Sequence, residues 1–412
     1  MGDRRSDLSI AKTGNAFERI YRANFELMNS VFLSPHFPPN FQNFASRLKN
    51  AGATVLGLSD VPYDSLSHDL KCNLTEYYKV SDMHDHDQLT RALGYFTHRY
   101  GKIHHLDSHN EYWLETEARL RTDFNIPGIN MDQIYNVKKK SEMKRIFDKA
   151  KLNPARGRVC NTEQEVRDFI KEVGYPVIAK PDNGVGAAAT FKLESDKCID
   201  VFLRGKPNTE YILEEFVTGQ IVSYDGLVDK NGELIFSSSL RYNKGVMEAV
   251  NENSDIYYYC VREIEPFLEN AGKAILKAFD VRGRFFHFEF FLKDNAVVPL
   301  EVNMRPPGGL TLDMFNFIFD FDCYDAWAQM QVHNVSKPMR ERKYFVIYVG
   351  RKDHIHYALN HEQAVEKHKD LIVHHERIDS IFAPAIGNYG YMLRHAELKP
   401  LIEAAESIQK RA

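Results

Sequence analysis

With 412 residues, 43% of them hydrophobic and 27% charged, the chain has the composition of an ordinary folded protein and the length for roughly two to four lobes. A formal net charge of −4 and the lack of a dominant basic face exclude a general nucleic-acid binder. Five scattered cysteines without a CxxC pair argue against a disulfide framework or a structural zinc site and fit a reducing, cytoplasmic setting; no apolar run reaches membrane-spanning length.

In chain order, Phe17–Met28 carries apolar residues at helical spacing, and Val31–Leu33 has the character of a short buried strand. A Pro-rich loop, a helix over Phe41–Leu48 closed by Gly52, and a strand at Thr54–Leu58 follow, which is the length and order of a βαβ unit. Tyr77–Val80, a helix over Asp87–Tyr100 and a strand at Ile103–Leu106 continue the alternation, so a parallel, doubly wound α/β lobe is expected over residues 1–125. No GxGxxG follows its first strand, and a dinucleotide site there is not supported.

Beyond Asn125 the pattern predicts helices at Lys140–Ala150 and Glu163–Val173, then strands at Val177–Lys180, Tyr211–Phe216, Ile221–Val228 and Leu234–Ser238. Asp229–Gly232 is the clearest hairpin turn among them. A helix over Glu263–Phe279 precedes two dense strands, Phe285–Leu292 and Val297–Asn303. Strands at Tyr344–Val349, Leu371–His374 and Tyr389–Leu393 and an amphipathic helix over Leu398–Gln409 close the chain. Paired His runs such as His354-Ile-His356 and His374-His375 are expected at polar positions on strand and loop surfaces, and the run Tyr257–Tyr259 is expected to pack; Arg241 and Lys244 are expected in a loop after Ser239.

Three segments carry chemistry. In the two dense strands, a hairpin would set Glu289 beside Glu301 on one face, with Asn303 in phase two residues on. Two carboxylates and an amide oxygen suit a hard divalent cation, and Arg305, also in phase, offers a planar fork to phosphate or carboxylate oxygens. A half-exposed hairpin with water-facing polar residues is the plainer alternative, but the flanking positions are strongly apolar and paired buried carboxylates are costly without a cation. The second segment is a buried strand delivering Lys180 into the loop Pro181–Thr190, where Gly184 and Gly186 let backbone N–H groups approach an anion; it is not a Walker A loop. The third, Tyr211–Gly219, ends a strand at Glu214, Glu215 and Val217, whose backbone groups are placed to read an adenine edge.

In this order and at these separations the three segments resemble the ATP-grasp superfamily, in particular its carboxylate–amine ligases, including the L-amino-acid ligases. The resemblance covers residues 138–309, and its specific part is the Glu-x-Asn-x-Arg run from Glu301 paired with Glu289. It implies an α/β ATP-grasp fold with lobe 1–125 in front, a lid and small subdomain over 126–213, a core with the metal site over 214–325, and a C-terminal α+β segment over 326–412. By position it implies Mg2+ (or Mn2+) on Glu289, Glu301 and Asn303, and ATP phosphates on Lys140, Lys180 and the loop of Gly184 and Gly186. Adenine would lie against Glu215 and Val217, and Arg305 would face the transferring phosphoryl group with Lys180. Substrate would approach Gly308 and Gly309. The partners implied are a small-molecule carboxylate and an amine, amino acids first, with neither nucleic acid nor membrane, and a homodimer is common among such proteins. Two departures stand out: Ile221 replaces the ribose-binding glutamate of many relatives, so that either ribose is held differently, as by Glu214, or nucleotide affinity is reduced, and Ala187–Ala189 replace Ser and Gly. Another ATP-grasp reaction, such as carboxylation, and a nucleotide-binding regulator without turnover stay open as alternatives.

Overall fold

The computed structural model describes residues 28–184, 189–245, 249–250, 252–293, 296–339 and 341–412. The expected helix at Phe17–Met28, except Met28 itself, and the loop position Gly186 lie outside the described residues.

Strands β1 (Asn29–Leu33), β2 (Thr54–Ser59), β3 (Glu76–Lys79) and β4 (His105–Asp107) form a sheet in the order β3-β2-β1-β4 with every pairing parallel. Val31, Leu33, Leu56 and Leu58 are wholly buried, as expected of strands covered on both faces. The helix His86–Tyr100 begins where the Asp85 carboxylate accepts from the N–H groups of Asp87 and Gln88, and it stops at Gly101 (φ 86°). The doubly wound parallel lobe expected from the alternation of elements is thus present.

A second sheet, β5 (Gly157–Val159), β6 (Val177–Pro181), β7 (Phe191–Leu193) and β8 (Tyr211–Glu215), is antiparallel in the order β5-β8-β6-β7. It has a small core of its own, in which Phe169 and Phe202 from two covering helices meet Val177, Ala179 and Tyr211. One of those helices, Glu163–Val173, spans the expected residues and starts on a capping box between Thr162 and Glu165.

The third sheet has nine strands: β9 (Gln220–Val228), β10 (Leu234–Ser238), β11 (Leu240–Tyr242), β12 (Tyr257–Cys260), β13 (Arg284–Lys293), β14 (Ala296–Asn303), β15 (Phe345–Arg351), β16 (Ile372–Arg377) and β17 (Tyr389–His395). Their order is β14-β13-β9-β11-β12-β15-β17-β16, with β10 also on β9. The turn Asp229–Gly232 does join β9 to β10: the Asp229 carboxylate accepts from the N–H groups of Asn231 and Glu233, and Gly232 has φ 87°. The C-terminal strands extend this same sheet. Tyr258 packs as expected, its ring 5.0 Å from that of Tyr348. Arg241 departs from the loop expectation, since it is buried in β11 and bonded to Glu265 and Ser239.

Two helices absent from the expected elements, Thr311–Phe319 and Cys323–His333, pack Phe315 on Phe236 of β10 and Trp327 on Phe44, and so seat the first lobe on the large sheet. Among the described residues no helix is long and apolar enough to cross a membrane.

Candidate active site

Phe286, Phe288 and Phe290 of β13 and Val302 of β14 are buried together with the helix Pro266–Ala278. Strand alternation therefore turns His287, Glu289, Glu301 and Asn303 to the other face. In the β13–β14 register Glu289 stands opposite Glu301, and His287 opposite Asn303. The neighbouring carboxylates anticipated from spacing alone are thus cross-strand partners. On the other flank β9 sets Ser223 beside Glu289 and Asp225 beside His287.

Cations close in from three elements. Lys140, at the start of the helix Lys140–Lys149, places Nζ 3.2 Å from Glu301 Oε1 and 3.1 Å from the Gly184 carbonyl. Lys180, at the end of β6, sits 2.6 Å from Glu214 Oε2, and Lys144 lies 2.8 Å from the other oxygen of that carboxylate. Arg305, just beyond β14, is held by the first lobe, its Nη2 2.8 Å from Glu111 Oε2.

These neighbours set the charges. Burial disfavours the Glu289 carboxylate, but His287, Arg305 and Lys180 outweigh it and hold the group below the usual carboxylate range. Glu301 goes the other way: burial dominates over Lys140 and its pKa is raised. Burial likewise works against the Lys180 ammonium, yet Glu214, Glu301 and Glu289 together raise its pKa. Glu214, despite complete burial, is brought down to about 2 by Lys180 and Lys144. Glu214, the substitute expected for a ribose contact, therefore has both oxygens engaged by lysines.

The remaining expected residues fall around this centre. Glu215 is paired with Arg156 at 2.7 Å at the end of β8, and Val217 lies in the connection from β8 to β9. Gly309 has φ +63°, a value that suits glycine, and its carbonyl accepts from Asn40 Nδ2 of the first lobe at 3.1 Å. Gly308 would meet nothing within 4 Å if it carried a Cβ, so its surface is open.

Several contributors were not among the expected residues. His287 Nδ1 lies 2.5 Å from Asp225 Oδ1, and its Nε2 3.4 Å from Glu289 Oε1. Burial opposes its charge, but Asp225 and then Glu289 raise its pKa to about 9, so an imidazolium props Glu289. The period-2 spacing of His287 and Glu289 was the available signal; Asp225 had none. Asp182, 1% exposed, accepts from the backbone N–H and the hydroxyl of Ser141, both at 2.7 Å. A residue of the phosphate-loop segment thereby caps the helix that carries Lys140, although the two are far apart in sequence. Replacing Asp182 by Ala should cost about 1 kcal/mol, the typical value of a lost cap. It should also raise the KM for ATP more than it lowers kcat, while Asp182→Asn retains the cap; steady-state kinetics and urea unfolding check this.

Residues 177–313, which span β6 through the start of the helix Thr311–Phe319, match the family described as an ATP-grasp domain. The chain carries an ATP-grasp domain. Among solved structures it resembles an L-amino acid ligase from Bacillus licheniformis with a TM-score of 0.70 over 92% of this chain and 96% of that one; at 12% identity the likeness is one of fold. It is 30% identical over 180 residues to D-alanine–D-alanine ligase A of Clostridium perfringens, covering 40% of this chain and 57% of that protein. The arginine-specific large chain of carbamoyl phosphate synthase from Bacillus subtilis is 20% identical over 196 residues, covering 46% of this chain. The chain spans only 18% of that relative's length. The matched residues 177–313 include Lys180, Glu289 and Glu301.

Proposed function

We propose that this ATP-grasp protein is a carboxylate–amine ligase that joins two small molecules, amino acids by first preference, through an acyl phosphate, with release of ADP and phosphate. The observation that carries this reading is the Glu289–Glu301 cross-strand pair with Lys140, Lys180 and Arg305 gathered round it.

The donor set suits magnesium or manganese, which favour oxygen ligands: two carboxylates and the Asn303 amide oxygen on one face of the hairpin. Among the described residues no group of three or more His, Cys, Asp and Glu side chains is arranged to hold a metal ion by itself, so phosphate oxygens and water would complete the shell. When bound, the metal supplies charge neutralisation to the β and γ phosphates. Lys140 and Lys180 then orient the phosphate tail, exchanging their present carboxylate partners for phosphate oxygens. An oxygen of the substrate carboxylate attacks the γ-phosphorus; the bond to the β–γ bridging oxygen breaks and ADP leaves. Arg305, steadied by Glu111, faces the charge that develops on the transferring group. The amine nitrogen next attacks the acyl carbon, the bond to the phosphate oxygen breaks, and the nitrogen gives up a proton. The small sheet β5–β8 is the cover that keeps water from the acyl phosphate.

The test is a phosphate-release screen over all pairs of proteinogenic amino acids with ATP and magnesium, followed by mass spectrometry of any product. A condensation product equal in amount to released phosphate is expected. Release that depends on bicarbonate and needs no amine would replace this reading with carboxylation, and tight ATP binding without release on any pair would make the protein a regulator.

A further inference from the structure

A cavity of about 800 Å³ lies on the seam between the edge strand β4 of the first lobe and the large sheet, away from the Glu289–Glu301 pair. That size falls in the range of small-molecule sites. Arg284, at the start of β13, belongs by alternation to the face opposite Glu289, so the cavity and the candidate active site are on different sides of this strand.

Two cations here have capacity left over. Arg121 has none: it donates to the carbonyls of Leu106 and Ile129 and to Glu117, and it is the tie between β4 and the helix Leu114–Asp123. Arg284 is also buried but donates only through Nε, to the Met304 carbonyl at 3.0 Å. Its nearest carboxylate oxygen, on Asp107, is 3.8 Å from Nη2 and is also within 3.4 Å of Arg121. The other guanidinium N–H groups make no hydrogen bond among the described residues. Lys230 is the second cation. Its ammonium donates to the Gln331 carbonyl at 2.8 Å, and no carboxylate of the described residues pairs with it. Both side chains line the cavity, and the rest of its wall is substantially apolar, with Ile129, Val281 and Met304. A buried arginine without full partners is costly unless an anion joins it, and the exposed Lys230 sets a second cation on the same cavity wall.

We propose that this cavity is a second small-molecule site that takes an aliphatic carboxylate, its charged end between Arg284 and Lys230 and its chain against Ile129, Val281 and Met304. The Arg284–Met304 bond links the site to the segment between Asn303 and Arg305, so an occupant touches the backbone that carries two of the expected active-site residues. The proposal does not depend on the ligase reading.

Isothermal titration of the full chain with hexanoate tests it, with hexanamide as the uncharged control and inorganic phosphate as the anion without a chain. Saturable binding of hexanoate at least tenfold tighter than either control is expected. Lys230→Met should weaken it about tenfold, and Arg284→Lys should weaken it further, each variant first checked for an unchanged circular-dichroism spectrum. Lys230 lies beside the hairpin turn, so its variant stays folded even where Arg284→Lys does not. Absence of saturable binding, equal binding of hexanamide or phosphate, or an unchanged affinity in Lys230→Met would overturn the assignment.

Discussion

Replacing Glu301 by Ala is expected to abolish amine-dependent phosphate release, by two to three orders of magnitude or more in kcat, the scale seen when one preorganised stabilising group is removed. The fold should survive. Glu301 is partly buried on the hairpin face shared with Glu289, and desolvation already raises its pKa, so in the metal-free protein this carboxylate is a liability and not a source of stability. Lys140 keeps its bond to the Gly184 carbonyl when Glu301 is gone. Glu301→Gln should therefore unfold at the same temperature as the parent or slightly above it in the absence of ligand. What it loses is the rise in Tm caused by ATP with magnesium, because ligand stabilisation scales with affinity for the folded state. A variant with full turnover, or with an undiminished magnesium-dependent Tm rise, would remove Glu301 from the metal assignment.

The elements that could be anticipated are those whose evidence is local. The Glu289–Glu301 pair follows from strand periodicity on two adjoining segments, and a register error of one residue would have turned one carboxylate to the buried face. The parallel first lobe follows from alternating strand and helix patterns of ordinary length. The helix Thr311–Phe319 was hidden because Phe315, Phe317, Phe319 and Phe321 alternate like a strand, while the helix is buried on most of its circumference and so has no single apolar face. The supports of the site were hidden for another reason. Asp225 reaches His287 across 62 residues, Asp182 reaches Ser141 across 41, and Glu111 reaches Arg305 across 194. Each of these contacts depends on which strands become neighbours or how the first lobe is seated, and no spacing along the chain encodes either.

The same seam between the first lobe and the large sheet should make the protein acid-labile well above the pH at which carboxylates titrate. His105 accepts a place beside Ser30, its Nδ1 3.0 Å from the hydroxyl, and His109 stacks on Phe44 at 3.8 Å with its edge to Trp327. Burial lowers their pKa values from 6.5 to about 3 and about 4, with Asp107 between them only partly offsetting it. Both imidazoles are neutral when folded. The unfolded chain takes up a proton at each near pH 6.5, so stability is fully present above that value and is lost as the pH falls toward about 4. The slope approaches about 1.4 kcal/mol per pH unit for each histidine, less the opposing contribution of Glu117, whose pKa burial raises. Urea unfolding at pH 7 and pH 5 should differ by a few kcal/mol on this scale. His109→Phe keeps an aromatic ring against Phe44 and removes one of the two protons, so its acid limb should be about half as steep. An acid slope identical in parent and variant would mean that His109 is already protonated in the folded seam, and that another group governs the loss.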